Sequence, residues 1–478
     1  MSFVQGVHRD QLVMFPESLD EYIRDGNPVR FIDAFVDSLD LRDLQFERAI
    51  AKETGRPPNF PGDLLKLYIY GYLNHIRSSR KLEKEANRNV EVMWLLGKLA
   101  PDFKTIADFR RDNGEAILRA CREFTTVCRE MGLFGGQLVA IDGSRFKAVN
   151  SRERNFTRPK LKKLMEKTDK KIRAYLQELD AADEEETDID HPTAEELREK
   201  IEKLKTRKLA YQELQHRLEE SGESQISLTD PDARLMWRGV GSLPEVSYNV
   251  QISVDAKNKL IVDHEVTNAC NDEEQLGPMA IRAKETLGVE KLEVLADKGY
   301  YASEQVATCA ENGVSPYIPK PEKSSNKREG LYGKEDFRYD PETDCYVCPA
   351  GQVLTYRYRS HRDGRDICYY TTGGCKRCSQ KDRCTRNKRG RKLWRRVDEA
   401  YLEAMAQRVR GQPEKVKQRK SLVEHPFGTM KHSMKQGDFL TRGIANVRTE
   451  MSLTVLVYNL KRVLGLKDTQ SLVAALET

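Results

Sequence analysis

Apolar residues recur with two different spacings along this chain. Over residues 17–130 they return every three or four positions, in segments such as VRFIDAFVDSL and LLKLYIYGYL, which is typical of amphipathic helices. From about residue 137 they fall instead into short β-rich runs, which are typical of strands. We therefore expect an all-α domain over residues 1–130, followed by an α/β domain.

The amino-terminal helices carry a basic stretch, SSRKLEKEANR, that bears on their role. A helix-turn-helix-like domain that reads DNA would present such residues to phosphate. A helical packing domain with a solvated basic face would show the same pattern. Both interpretations fit the sequence, and the domain is a candidate for DNA binding.

Five apolar runs predict the strands of one mixed sheet. They read QLVAIDGSRF, VSYNVQISVD, KLIVDHEVT, KLEVLADKGY and VSPYIPK, and segments with helical spacing separate the third from the fourth and the fourth from the fifth. This alternation indicates an α/β fold. We expect residues 137–157, 223–320 and 398–470 to build this unit, with a strongly apolar last helix packed on the sheet.

Two insertions are predicted to interrupt the sheet. Residues 158–222 are rich in Lys and Glu and place apolar residues at helical spacing in two segments, which predicts an antiparallel helical hairpin. Its expected role is support or dimer contact. Residues 321–397 form the second insertion and hold six of the ten cysteines.

The chain shows no sign of a membrane segment or a secretory signal. It lacks any stretch of about 18 or more apolar residues, and its first residues lack the basic-then-apolar order of a signal peptide. We therefore expect a cytoplasmic protein that does not contact a membrane. Thiols stay reduced in that compartment, which favours metal binding or packing over disulfides.

The cysteines of the second insertion are spaced like metal ligands. C-x-x-C occurs as Cys345 with Cys348 and as Cys375 with Cys378, and Cys384 follows six residues later, which resembles a zinc ribbon. We expect Cys348, Cys375, Cys378 and Cys384 to bind a structural Zn²⁺, with Cys345 as the main alternative ligand. Reduced cysteines without a metal are the competing interpretation.

Positive charge is concentrated locally, since the total of 81 Lys and Arg against 75 Asp and Glu is nearly balanced. Residues 376–396 contain eleven Lys or Arg, the single acid Asp382 and the interleaved Trp394. Such a density could neutralise several phosphates. A solvated basic linker is the alternative. The candidates for DNA contact are Lys388, Arg389, Arg391, Lys392, Arg395 and Arg396.

Two acids follow apolar runs in predicted strands. Asp142 follows LVAI and Asp297 follows LEVLA, each with a glycine one or two positions later. A carboxylate at the end of a buried strand costs desolvation free energy unless a cation or hydrogen bonds compensate it. Either acid alone more often caps a turn, but the two together suggest a shared cation.

Glu424 is the candidate third acid. Lys420, Glu424 and Lys431 stand at i, i+4 and i+11, so a continuous helix would place them on one face, although Pro426 can kink it. Carboxylates that converge on one point are the ligands of the paired Mg²⁺ or Mn²⁺ ions used in phosphodiester chemistry. The two lysines beside Glu424 could also bind a phosphate group. The alternative interpretation is an ordinary ion pair on the protein surface.

Several of these motifs resemble a known family. AIDGSRFKAV, TDPDARLM, YNVQISVD, VTNACNDEEQL, LADKGYY and VEHPFGTMK occur in the order expected of bacterial insertion-sequence transposases of the DDE class. The group numbered eleven eighty-two looks most similar, with an InsH-type amino-terminal domain. The resemblance implies a ribonuclease-H-like core in which Asp142, Asp297 and Glu424 are the catalytic acids. It also implies phosphate contacts from Lys431 and from Lys420 or its neighbour Arg419.

The same resemblance implies a DNA transposase that cleaves DNA at the ends of a mobile element and transfers the strands to a target. The expected partners are double-stranded DNA, as terminal inverted repeats and target, and at least a second copy of the chain, since two ends must be held. No Walker-type phosphate loop appears, so no nucleotide cofactor is expected. A non-catalytic DNA-binding regulator is the alternative, and a repair or RNA nuclease of the same fold is a third possibility.

Overall fold

The structure is a computed structural model that describes residues 18–50, 57–184, 194–237, 241–321, 325–362 and 365–476. Helices pack on a mixed sheet, so the fold is α/β, as the sequence predicts. Within these ranges no helix combines the length and the apolar character that crossing a membrane requires.

Helices cover most of the described amino-terminal region, as the apolar spacing predicts. The first begins at Pro28, where the Asn27 side chain accepts a hydrogen bond from the Val29 N–H at 3.0 Å and the proline needs no N–H partner. The helices are α1 (Pro28–Asp37), α2 (Pro61–Leu73), α3 (Ser79–Ala86), α4 (Val90–Leu95), α5 (Phe103–Asp112) and α6 (Gly114–Glu130).

Strand β1 (Leu138–Lys147) begins the central sheet, and the chain then leaves it through a pair of long helices. This hairpin consists of β2 (Asn155–Thr157), α7 (Arg158–Glu184), α8 (Ala194–Glu220) and β3 (Gln225–Ser227), with β2 and β3 antiparallel at its base. Phe156, Leu161, Leu214 and Leu218 form a small core there. Residues 185–193, between the two helices, lie outside the described ranges.

The chain returns to the central sheet in alternating strands and helices. The elements are β4 (Arg234–Met236), β5 (Glu245–Asp255), β6 (Ile261–Thr267), α9 (Leu276–Leu287), β7 (Leu292–Leu295), α10 (Ser303–Glu311) and β8 (Val314–Tyr317). Strand β5 pairs antiparallel with β1 on one edge and with β6 and β4 on the other, whereas β7 is parallel to both β1 and β8. The five predicted runs correspond to β1, β5, β6, β7 and β8.

The Cys-rich region forms a second, antiparallel sheet. The elements are α11 (Ser325–Arg328), β9 (Arg338–Asp340), β10 (Cys345–Val347), β11 (Val353–Arg362), β12 (Arg365–Thr371), α12 (Lys381–Cys384) and β13 (Lys392–Arg396). The strands pair in the order β13–β12–β11–β10–β9, and the core beneath them contains Phe337, Tyr346, Leu354, Tyr370 and Leu393.

The carboxy-terminal region is helical and supplies a long, largely buried helix. It consists of α13 (Glu399–Gly411), α14 (Pro413–Gly428), a π-helical segment (Thr429–Ser433), α15 (Ile444–Leu464) and α16 (Thr469–Ala474). Helix α15 packs between α6 and α2 on one side and β6 on the other. Buried Asn459 bonds both the N–H and the carbonyl of Ile261 at 2.8 Å, which fixes α15 to the sheet.

One hydrophobic core joins the amino-terminal helices to one face of the sheet. Phe31 and Phe124 from these helices, Tyr248 and Val250 from β5, and Leu456 from α15 belong to the same buried cluster. The expected all-α domain over residues 1–130 therefore has no separate core in the described residues. The reason is that α15 is apolar around most of its circumference and must be covered on both sides.

The motif TDPDARLM fixes the start of α15. The Asp230 carboxylate accepts hydrogen bonds from the Gly443 N–H at 3.2 Å and from the Tyr248 hydroxyl at 2.8 Å. Asp232 accepts from the Ile444 N–H at 2.9 Å. Since the first N–H groups of a helix have no partner within the helix, these two acids serve as its cap.

Candidate active site and cysteine cluster

Asp142 and Asp297 lie at the same level of two neighbouring parallel strands, Asp142 within β1 and Asp297 just beyond the end of β7. The register of β1 and β7 pairs Ala140 with Leu295, and each acid comes two residues later. Asp142 is still within β1, whereas Asp297 follows β7 and accepts a hydrogen bond from the Gly299 N–H at 2.7 Å. The structure thus brings two of the three predicted acids together.

The electrostatics of Asp142 reflect this neighbourhood. Burial raises its pKa to about 6, the nearby Arg419 opposes the rise, and the negative charge of Asp297 adds to it. The Arg419 guanidinium lies 3.0 Å from Asp142 Oδ2, and both side chains are mostly buried. A desolvated carboxylate beside a second carboxylate is an environment that fits a bound cation.

Glu424 lies apart from this pair. Its side chain is 64% exposed, and its ion-pair partner is Lys420, at 3.7 Å. Glu424 stands five residues after Arg419 on α14, and at about 100° per residue the two side chains point about 140° apart. Among the described residues, no group of three His, Cys, Asp or Glu side chains is arranged to hold a metal ion.

The end of α14 explains why the predicted common face is not found. The α-helix stops at Gly428, and residues 429–433 wind as a wider π-helix. The helical register is therefore not continuous from Glu424 to Lys431. Lys431 points inward, where its ammonium group donates to Ser144 Oγ at 2.5 Å and to the Arg145 carbonyl at 3.0 Å. The continuous helix on which a common face for Lys420, Glu424 and Lys431 depends is therefore not found.

A fourth acid, Asp272, lies against β1 beside the predicted pair. Its Oδ1 accepts hydrogen bonds from Asn249 and Gln251, both at 2.7 Å. Gly143 makes this approach feasible, because a side-chain carbon there would lie 2.9 Å from the same oxygen. The Tyr300 hydroxyl donates to Gln251, so this network reaches the turn that follows Asp297. Asp272 belongs to the motif VTNACNDEEQL. The run of polar residues in that motif is the sequence feature that could have identified Asp272 as a site residue.

The predicted DNA-contact residues of the basic run fall into two groups. Lys388, Arg389 and Lys392 are exposed. The Lys392 ammonium group lies 4.4 Å from the centre of the Tyr369 ring. All three are exposed enough to meet a phosphate, and Lys392 also donates a hydrogen bond to the Tyr358 hydroxyl at 3.0 Å.

The other three arginines of the run have protein partners. Arg395 is 8% exposed and bonds Glu403 at 2.8 Å, and Arg396 donates to Ser303. Arg391 donates to the carbonyl of Cys384 at 3.2 Å. The alternating direction of side chains along β13 turns Arg395 toward the core of the second sheet. Arg391, Arg395 and Arg396, which are predicted to contact DNA, therefore bond other protein groups in this structure.

Four cysteines line one cavity in the second sheet region, namely Cys348, Cys375, Cys378 and Cys384. Burial raises the pKa of the Cys384 thiol, and the other three thiols add to the rise. The fifth candidate, Cys345, is buried in β10, where its sulfur lies 3.0 Å from the Thr343 hydroxyl. Although the thiols do not close on one point, four sulfur donors around one cavity fit the chemistry of Zn²⁺.

Two regions of the chain match known protein families. Residues 17–112 match a transposase domain, DUF772, and residues 347–464 match a transposase DDE domain. The chain is a DNA transposase. The second match includes the four cysteines and Glu424, whereas Asp142 and Asp297 lie between the two matched ranges.

Other comparisons add little to the identification of this transposase. No curated protein matches the chain. Among solved structures, the cryo-EM structure of the piggyBac transposase synaptic complex with hairpin DNA is similar over 94% of this chain and 79% of that chain. The sequence identity is 8% and the TM-score 0.30, which is too low to support an argument about this transposase.

Proposed function

We propose that this transposase cleaves DNA at the ends of an insertion sequence and joins those ends to target DNA, as in the group numbered eleven eighty-two. The observation that carries the proposal is the placement of Asp142 in β1 at the level of Asp297, which follows the neighbouring parallel strand β7. Phosphoryl transfer needs anionic ligands aimed at one point, and this pair would supply two of them.

The sheet supports a ribonuclease-H-like core. Three antiparallel strands, β6, β5 and β1, are followed by the parallel strands β7 and β8, and helices cover both faces. We propose that residues 137–157, 223–320 and 398–470 form this core. In this proposal, residues 158–222 and 321–397 are insertions, and residues 1–130 add a helical, DNA-binding region.

We propose two Mg²⁺ or Mn²⁺ ions at the acids. Asp142 and Asp297 would hold them, with Glu424 as the third ligand after a movement of α14. Bound ions of this kind activate an oxygen nucleophile and stabilise the departing oxygen. Arg419 compensates the charge of Asp142 in the structure, so its guanidinium must leave that carboxylate when a metal ligand forms.

The basic residues of α14 and the π-helical segment support a proposal that DNA binds beside the acids. Lys420 is 75% exposed beside Glu424, and Arg419 becomes available to a phosphate once it leaves Asp142. We propose that these two residues contact the backbone near the scissile phosphate. Lys431 would contribute its charge from the π-helical segment while it anchors that segment to Ser144.

We further propose a structural Zn²⁺ at Cys348, Cys375, Cys378 and Cys384. The exposed Lys388, Arg389 and Lys392 follow these cysteines in the chain, so a metal that orders this region also orders a basic surface. Double-stranded terminal repeats and target DNA are the proposed partners. At least a dimer is required in the DNA complex to hold two ends, and the proposed location is the cytoplasm.

The decisive experiment is cleavage of a labelled duplex that carries the terminal inverted repeat. Wild type with Mg²⁺ should nick the repeat boundary, and wild type with EDTA should not. Asp297→Ala and Asp142→Asn should bind the duplex but leave it intact. Wild-type binding without cleavage in Mg²⁺ or Mn²⁺ would contradict the enzyme proposal and favour a regulatory DNA-binding protein.

A further inference from the structure

Three aromatic rings form a row across the outer face of the second sheet. The strand register places Tyr358, Tyr369 and Trp394 side by side on β11, β12 and β13. The rings of Tyr358 and Tyr369 are stacked, with centres 4.7 Å apart and planes inclined by 25°. Tyr358 is 43% exposed and Trp394 is 44% exposed, so the row presents ring surface to solvent.

The row does not belong to the core of this sheet. The core residues Tyr370 and Leu393 are the chain neighbours of Tyr369 and Trp394, and successive strand residues face opposite sides. The aromatic surface is therefore not needed to stabilise the core. Large rings at solvent-facing strand positions are typical of a binding surface.

Positive charge lies against the rings. The Lys392 ammonium group is 4.4 Å from the centre of the Tyr369 ring and 5.5 Å from that of Tyr358. Lys334 lies 4.5 Å and Arg396 5.6 Å from the centre of the Trp394 ring. The combination of flat apolar rings with cations at their margins complements bases that are linked by phosphates.

The Trp394 end of the row is linked to the chain segment that follows Asp297. Arg396, two residues after Trp394, donates a hydrogen bond to Ser303. Ser303 begins α10 and stands six residues after Asp297. A strand that lay along the row would therefore run toward the chain segment that carries Asp297.

We propose that the row of Tyr358, Tyr369 and Trp394 binds unpaired DNA bases by stacking, while Lys392 contacts their phosphates. In a paired duplex the faces of the bases are already stacked inside the helix, so exposed rings gain little from it. An unpaired tail at a cleaved end offers free base faces. This inference rests on the proposed function, because cleavage of transposon ends is what would generate such tails.

The test measures affinity in EDTA, where no cleavage competes. Two probes share the same terminal-repeat duplex: one is fully paired, and the other carries an additional short unpaired 3′ tail. Trp394→Ala should weaken binding of the tailed probe roughly 5- to 150-fold and leave the paired probe nearly unchanged. Trp394→Phe should restore part of the loss, because it keeps a ring.

The matched control is Trp237→Ala, since Trp237 is also exposed, at 67%, but lies outside the row. It should bind both probes like wild type. An equal loss on both probes with Trp394→Ala, or no loss on either, overturns the stacking proposal. Unchanged affinity of Trp394→Ala for the paired probe also shows that the variant is folded.

The outcome separates this inference from the proposed function. A tail-specific loss in a protein that never cuts DNA in Mg²⁺ supports the stacking surface and contradicts the proposed chemistry. Cleavage by wild type without any tail-specific loss leaves the chemistry intact and overturns the stacking surface.

Discussion

Arg419 forms an ion pair with Asp142: the guanidinium lies 3.0 Å from Oδ2 of the carboxylate, and both side chains are largely shielded from water. The ion pair does not fully compensate the cost of burying the Asp142 charge, because burial and the charge of Asp297 still raise the pKa of Asp142 to about 6. The ionised carboxylate is therefore less stable in the folded protein than in the unfolded chain. A carboxylate whose ionised form destabilises the folded state is typical of functional sites.

Asp142→Asn should therefore stabilise the protein at neutral pH. An acid whose pKa is raised by folding holds its proton more tightly in the folded state, so stability declines as pH rises from about 4 to about 6. A shift of roughly two units corresponds to about 3 kcal/mol, and we expect a gain of about 1–3 kcal/mol above about pH 7. Near pH 4 the gain should vanish.

The measurement is chemical denaturation of wild type and Asp142→Asn at both pH values. Asp382→Asn is a suitable control, because Asp382 is exposed and should show no difference at either pH. A variant that is less stable than wild type at neutral pH would contradict the electrostatic description of Asp142.

Gly143→Ala should destabilise the protein through the network around Asp272. A methyl group at this position would lie 2.3 Å from the Gln251 amide nitrogen and 2.9 Å from the Asp272 carboxylate. Because these groups are held by hydrogen bonds to one another, we expect a loss of about 1–3 kcal/mol in the free energy of unfolding. Gly411→Ala is the control, since the space around that glycine is open. Equal stability of the two variants would show that the hydrogen-bonded side chains around Asp272 can move aside for a methyl group at little cost in free energy.

The central sheet could be predicted because its main strands coincide with short apolar runs in the sequence. Residues such as Val250 and Ile252 alternate with Gln251 and Ser253 on β5, and all are buried, since helices cover both faces. The acids were recognisable for the same reason, because a charged residue after a buried strand is conspicuous. Their level placement required the register of β1 and β7, which the sequence does not reveal.

The orientation of the basic residues could not be predicted. Arg419 and Lys420 are adjacent in sequence, yet only Arg419 reaches Asp142, because the direction in which α14 lies on the sheet decides which one faces inward. Arg395 and Lys392 belong to one basic run, but β13 buries the first and exposes the second. Whether a basic side chain is buried or exposed is decided by tertiary packing, not by local composition.

Glu424→Gln tests whether the exposed acid of α14 takes part in chemistry. If α14 moves so that Glu424 joins Asp142 and Asp297, the variant should lose cleavage by at least about 100-fold while it keeps end binding. Glu414→Gln provides the matched control, because Glu414 is an exposed acid of the same helix paired with Lys417 at 2.7 Å. Cleavage rates on the terminal-repeat duplex decide the matter. Similar rates for the two variants would remove Glu424 from the catalytic set.

Removal of one thiol should reveal whether the cysteine cavity holds a metal. Elemental analysis of wild type should find about one Zn²⁺ per chain, and Cys378→Ser should reduce that content and lower the melting temperature. Cys270→Ser is the control, because Cys270 is exposed and outside the cavity. The physical reason is that the second sheet has a core of few side chains, so a bound metal would supply much of its stability. Wild type without zinc, together with a melting temperature that a strong chelator leaves unchanged, would establish the cysteines as reduced packing residues.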